Sequence, residues 1–297
     1  MHLKIKGLLW VCMDLTLSNR HSNPHQMVLL APSLSVVPEA FTSAIVNPLN
    51  HKHFMTGMQR LRGALYLEDG AIHKDQLTAD GRHELPIDNR SWHLLTLDGD
   101  RNVTGCSRYL SHPRSISYRN LEVTHSALAA SPKWGRLLEA AIEAEIALAR
   151  KLGMAYAEVG GWAVSHEQRC TTEALRIALA TYTLANLLGG CIGVSTETVR
   201  NCSASILKRL GGVAVNIAGQ ILPSYYDPQY DCEMEILRFD SRHPAPRFQR
   251  WMDELRLRML DVPVICAQVS SRTLTDRFSA FPAFATVDSA GRAAYAA

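Results

Sequence analysis

Residues 157 to 174 read AEVGGWAVSHEQRCTTEA, and they concentrate side chains with chemistry to offer. An apolar, strand-like run carries one acid, Glu158, and breaks at Gly160 and Gly161. It then leads into a basic, hydroxyl-rich turn, Arg169-Cys170-Thr171-Thr172, at a helix start. A strand that reaches a Gly pair can bulge or part from its neighbour, because glycine accepts backbone conformations closed to other residues. The N–H and C=O groups freed in this way can pair with an amide-bearing ligand as another strand would. The turn before the helix offers unsatisfied N–H groups at the positive end of a helix dipole, an arrangement that binds phosphate. This short stretch therefore predicts a carboxylate beside an open strand edge and an anion site.

The surrounding segments have the periodicities needed to position it. SWHLLTLDGDRNVTGCSRYL places two apolar runs around the turn-rich DGDRN, a hairpin signal. SPKWGRLLEAAIEAEIALARKLG opens with a Ser cap and a Pro, and places Leu137, Leu138, Ala141, Ile142, Glu145, Ile146, Ala149 and Leu152 close to helical spacing up to Gly153. TEALRIALATYTLANLLGG is apolar on most faces and reads as a buried helix. GGCIGVSTE reads as a short buried strand, VRNCSASILKRLGG as a helix, and VAVNIAG and CEMEILRF as further strands. Alternating strands and helices of this kind form a mixed or parallel sheet covered by helices.

Composition bounds the rest. The 297 residues are 47% hydrophobic and 20% charged, enough for one large core, with a net charge of +3 that is too small and scattered to argue for nucleic acid or a membrane surface. Cysteines at 12, 106, 170, 191, 202, 232 and 266 form no CxxC pair, so neither a disulfide framework nor a zinc ribbon is expected, and a reducing cytoplasm is the default. The histidines have no ligand spacing, so no metal site is expected. The opening MHLKIKGLLWVCMDL lacks the apolar length and cleavage site of a signal peptide, and no stretch is long enough for a membrane span. Residues 1–50 read as an irregular extension or as an arm packing on a neighbour, 51–265 as the folded domain, and 266–297 as a mobile tail.

Several motifs fall in a fixed order along the chain. Arg60, Arg62 and Tyr66 precede Asp80 and Asp88, then SWHLLTLD, then Gly105 and Arg108. Glu158 stands ahead of Gly160-Gly161-Trp162, followed by the R-x-x-T-x-A of Arg169 to Ala174. Asn201, Ala204, Ile206, Leu207, Gly211 and Gly212 come last. The set resembles the GNAT acyltransferase superfamily, in which a splayed fourth strand precedes a Q/R-x-x-G-x-G/A pyrophosphate turn. Within it, the upstream half is similar to the acyl-homoserine-lactone synthases (autoinducer synthases) and the long-chain N-acyl amino acid synthases, whose fourth strand reads E-x-S-R-F. The resemblance covers roughly residues 55–240. Thr172 replaces the first Gly of the turn, Leu207 stands where the family has its Tyr, and Gly160-Gly161-Trp162 replaces S-R-F. Loss of that Arg argues against a lactone synthase proper and leans toward the amino-acid-acylating relatives or another cousin of the branch.

The resemblance implies an α/β fold with a mixed, largely antiparallel sheet, splayed in the middle and covered by helices on both faces. It implies an N-acyltransferase moving an acyl group from a thioester donor to an amine, such as an amino acid. No resident cofactor is implied, because acyl-CoA or the phosphopantetheine of an acyl carrier protein is a co-substrate. An acidic carrier would suit a basic surface near Arg114, Arg119 and Arg169. Aminolysis needs a neutral amine, an oriented carbonyl and donors for the oxyanion. Glu158 is the candidate proton acceptor, the alternative being a structural pair with an Arg such as Arg108. The backbone of Val159, Gly160, Gly161, Trp162 and Ala163 would hold the donor's amide arm, with Trp162 lining an acyl tunnel or simply the core. Arg169, the turn amides of Cys170, Thr171 and Thr172, and Asn201 would meet the donor's phosphates, the alternative for Arg169 being a solvated surface side chain. Arg62, Arg108, Asp80 and Asp88 would orient the acceptor, unless the acids are plain surface charges. With Leu207 unable to protonate the leaving thiolate, that acid is either missing or comes from elsewhere, with Tyr225 or Tyr226 as the candidates. The alternative function is a non-catalytic acyl-thioester-binding sensor or scaffold of the same fold, and a third is acetylation of a small molecule with acetyl-CoA.

Overall fold

The DGDRN turn does what its composition predicts. Asp98 Oδ1 accepts from the backbone N–H groups of Asp100 and Asn102 at 3.0 and 2.8 Å, and Arg101 takes a φ of +66°. This closes an antiparallel hairpin of β3 (Trp92–Leu97) and β4 (Val103–His112) at the centre of a large sheet. The structure, a computed structural model, describes residues 26–268 except 34, 170, 201 and 202.

The other strands are β1 (Gln26–Leu30), β2 (Ala44–Val46), β5 (Ala155–Val164), β6 (Cys191–Thr198), β7 (Val213–Ala214), β8 (Asn216–Ile217), β9 (Gln220–Ile221), β10 (Tyr225–Asp227), β11 (Cys232–Asp240) and β12 (Val264–Cys266). The helices are α1 (Pro48–Glu68), α2 (Gly135–Lys151), α3 (Glu173–Leu187), α4 (Ser203–Leu210) and α5 (Gln249–Leu260). The sheet runs β10-β11-β6-β5-β4-β3-β1-β12-β2, with β7 on β11 and a separate β8–β9 hairpin. The pairs β5–β6, β1–β12 and β12–β2 are parallel and the rest antiparallel, so the sheet is mixed and largely antiparallel.

Alternation along each strand divides the core between two helical layers. Leu29, Leu94, Tyr109, Ala157 and Cys191 pack with α3 and α5. Their neighbours Val28, Leu30 and Leu95 pack with α1, and Tyr156, Ile192 and Val194 with α2. Helix α3 is buried along Ile177–Ala185, as its uniformly apolar sequence requires. Ser131 caps the approach to α2 by accepting from Trp134 N at 3.2 Å, and the regular helix starts at Gly135.

Residues 26–50 differ from the irregular extension expected. β1 lies inside the sheet between β3 and β12, and α1 already begins at Pro48. MVLL is too short to show a period, and both of its partners are remote in sequence. Its burial comes from pairing that no local pattern reveals.

Candidate functional site

The Gly pair sits where the sheet opens. β5 and β6 pair in parallel from Ala155↔Cys191 to Val159↔Ser195 and then separate. Beyond that point β5 continues along β4 and β6 along β11. On β4 the step from Cys106 to Arg108 spans two residues, whereas the matching step on β5 runs from Ala163 back to Gly160, so β5 carries a bulge. Gly161 adopts φ +62° in that bulge, and a Cβ there would lie 3.2 Å from Arg108 Cβ and 3.5 Å from Arg62 Nη1. Left-handed backbone and close approach both require glycine.

On the α3 side of the gap lies an apolar cleft walled by Val159, Trp162, Tyr182, Leu207, Leu237 and Phe239. Polar groups enter at two places. Ser107 Oγ and Thr181 Oγ1 share a hydrogen bond of 2.7 Å. Glu197, 7% exposed, contacts Ser195 Oγ, which itself donates to the Val159 carbonyl oxygen at 2.8 Å. Burial pushes the Glu197 carboxyl up to about 7, against the opposing pull of the Ser195 and Ser203 hydroxyls. Sequence reading missed Glu197. The available signal was an acid ending an otherwise apolar strand, GVSTE, the same signal that singled out Glu158.

On the opposite side, α1 brings charged groups up to the bulge. The fully buried Arg62 donates to both carboxylate oxygens of Asp88, at 3.0 and 2.7 Å, and to the His83 carbonyl. Gln59 Nε2 and Leu85 N also donate to Asp88, and the His93 ring donates to its carbonyl oxygen at 2.8 Å. Burial alone would raise the Asp88 carboxyl, but Arg62 outweighs it and holds the group near about 2. Burial lowers His93 and His83 to about 4, Arg62 adding to the shift on His83. Beside this satisfied pair, the Arg108 guanidinium meets no acceptor among the described residues and its Nε is buried without a partner. Burial and then the charge of Arg62 push the Arg108 pKa down. Tyr66 Oη reaches the Trp162 carbonyl at 3.4 Å, and Trp162 Nε1 is buried with no partner among the described residues.

Glu158 points to the helix α2 face, away from the cleft. Its carboxylate accepts from His112 Nε2 at 2.9 Å and from the backbone N–H groups of Glu122 and Val123 at 3.1 and 3.0 Å. It thus ties the 3₁₀ turn Glu122–His125 to β5 and is not paired with Arg108.

The structure gathers Arg62, Asp88, Arg108 and the backbone of Val159 to Ala163 at the gap, but not every expected residue. Tyr226 lies on the outermost strand, is 59% exposed and donates to Asp231. Alternation on β10 turns Tyr225 inward and Tyr226 out. Asp80 is a surface group, held by Thr78, Arg82 and Arg60. Arg169 lies 3.7 Å from Asp69 on the C-cap of α1. Thr171 Oγ1 donates to the Gln168 carbonyl and accepts from Glu173 N, and Thr172 is the N-cap of α3. Cys170 and Asn201 lie outside the described residues. Tyr230, which the sequence did not mark, has its phenol raised by burial and then by Asp227, with Arg108 opposing. Among the described residues, no group of His, Cys, Asp and Glu could hold a metal ion, and no helix is long and apolar enough to cross a membrane.

No family model matches the sequence, and no curated protein matches it. Among solved structures, the chain is similar to the CoA-dependent acyl-homoserine lactone synthase BjaI with SAM and isopentyl-CoA, at 15% identity and TM-score 0.48 over 84% of this chain and 99% of that one. It is similar to FeeM, an N-acyl amino acid synthase from uncultured soil microbes, at 15% identity and TM-score 0.42 over 67% of this chain and 89% of that one. It is also similar to the acyl-homoserine lactone synthase LasI, at 16% identity and TM-score 0.40 over 73% and 91% of the two chains. These are synthases of the branch that the motifs resemble. At such identities and scores, the function is argued from the site.

Proposed function

We propose that the chain is an N-acyltransferase that takes an acyl group from a thioester, carried on coenzyme A or an acyl carrier protein, and gives it to the amine of an amino acid. The observation that carries this reading is the end of β5–β6 pairing at Val159↔Ser195, with an apolar cleft on one side and an unpaired guanidinium on the other. The parted strands offer free backbone groups to the donor's amide arm. The cleft walls, from Val159 to Phe239, suit a hydrocarbon chain. Arg108 suits the acceptor's carboxylate, because a half-buried cation with no ion-pair partner among the described residues gains from an anionic ligand. Gly160 leaves room for that ligand, since a Cβ there would stand 3.2 Å from Arg108 Nη2. Arg169 and the first turn of α3 are the proposed seat of the donor's phosphates, which must then compete with Asp69.

The test is incubation of the purified protein with short- and long-chain acyl-CoA, or with acylated carrier protein, plus a mixture of amino acids. Release of free thiol together with an N-acyl amino acid in the mass spectrum is expected. Turnover with carrier-bound donor alone would assign the carrier as partner. The second reading is a thioester-binding sensor, favoured by the Arg169–Asp69 pair and by the three donors that occupy Glu158. Tight binding of acyl-CoA without thiol release would establish it in place of the enzyme.

A further inference from the structure

Aminolysis of a thioester needs a group that takes a proton from the incoming nitrogen and a group that returns one to the departing sulfur. The two carboxylates near the gap differ in what they are free to do. The oxygens of Glu158 are held by His112 and two backbone N–H groups, on the face away from the cleft. Glu197 lines the cleft itself, two residues past the last β5–β6 pair.

The surroundings of Glu197 favour a carboxyl that carries its own proton. The Ser195 hydroxyl has one hydrogen, and the Val159 carbonyl oxygen, with no hydrogen to give, requires it. The contact between Ser195 Oγ and Glu197 Oε1 is then complete when the proton comes from Glu197. Across the sheet Glu197 stands opposite Glu235, whose charge is met by Lys208 of α4 at 2.5 Å. Two charged acids at one cross-strand position repel, and a neutral Glu197 removes that cost. Ser203 of α4 faces it. Among the described residues, no cation pairs with it.

We infer that Glu197 is the catalytic residue that gives the departing sulfur its proton, and that Glu158 instead positions the turn it binds. This inference rests on the acyl-transfer reading of the cleft. The amine first reaches the site neutral, its ammonium proton released to solvent. Its nitrogen bonds to the thioester carbonyl carbon and releases its surplus proton to solvent. The C–S bond breaks with its electron pair on sulfur, and the Glu197 carboxyl then protonates the thiolate. The products are an amide and a free thiol, and the Glu197 carboxylate takes a proton back from solvent.

The experiment compares wild type, Glu197→Gln and Glu158→Gln for thiol release and amide formation across roughly pH 5 to 9. Glu197→Gln should lose about 100-fold or more in kcat, together with the rate limb that wild type shows near neutrality. Glu158→Gln should keep that limb. Wild-type turnover with both rate and limb retained in Glu197→Gln overturns the assignment and leaves the acyl-transfer reading standing. Absence of thiol release from wild type with every donor removes both. A second measurement needs neither substrate nor activity: the infrared difference between wild type and Glu197→Gln as pH is varied. A protonated carboxyl band that disappears near neutrality is expected, and a carboxylate already ionised at mildly acid pH overturns the assignment.

Discussion

Glu197 and Glu235 occupy the same register position on β6 and β11, and Lys208 neutralises Glu235 alone of the two among the described residues. The consequence for stability has a definite sign. Burial raises Glu197 from its ordinary 4.5 to about 7, so the folded chain holds a proton that the unfolded chain has released. That contribution is complete below about 4.5 and is lost as pH rises through about 7. Glu197→Gln keeps the neutral form at every pH. It should match wild type in mild acid and exceed it in mild alkali by at most about 3 kcal/mol, read by urea unfolding at the two pH values. Equal stability under alkaline conditions would refute the assignment of the shift.

The two glycines of the bulge should respond differently to alanine. Gly161→Ala places a side chain at φ +62° and against Arg108 Cβ, a rigid neighbour. A loss of about 1–3 kcal/mol is expected in thermal or urea unfolding. Gly160→Ala meets only the tip of Arg108, which can swing aside, so stability should change little. If the two variants melt alike, the bulge does not set them apart.

Asp88 and Arg62 form a buried ion pair whose disruption leaves a cation without its counter-charge. Asp88→Asn should cost about 3–5 kcal/mol near neutral pH. The wild-type carboxyl is held down to about 2 by Arg62, against the effect of burial, so its contribution is present above its ordinary 3.8 and is lost as pH falls through about 2. The variant should therefore show a flatter acid limb in a pH titration of stability. An unchanged limb counts against the pair as its source.

Arg108 is the opposite case, because its guanidinium has no acceptor among the described residues. Arg108→Met removes a half-buried charge with no ion-pair partner among the described residues, so unfolding should show little loss of stability. If the cation receives the acceptor's carboxylate, KM for the amino acid should rise about 10- to 100-fold with kcat little altered. A fall in stability with no change in KM would make Arg108 a structural residue.

The strand opening was legible in the sequence because two adjacent glycines weaken an apolar strand unless its backbone must bend there, and the left-handed bulge at Gly161 is that bend. The hairpin around DGDRN and the helices α2 and α3 were legible through turn chemistry and period. β1 was not, since its burial depends on partners remote in sequence. Nor could strand composition decide which acid faces the cleft. Glu158 and Glu197 end similar apolar runs, and only the register of β5 against β6 sends one to each side of the sheet. Tyr226 was set apart from its neighbour Tyr225 by the same one-residue alternation.

The pairing of β1 with β12 joins Leu29 to Val264, from opposite ends of the described chain. While the chain is being synthesised, β1 can pair with β3 early, but its other edge stays open until β12 emerges. β2, whose neighbour in the sheet is β12, has no place to dock before then. Until β12 emerges, β1 presents an open, apolar strand edge, the kind of edge that recruits other chains. Closure of the sheet is a late event tied to the last described strand, and a chain cut before Val264 would keep its fastening undone.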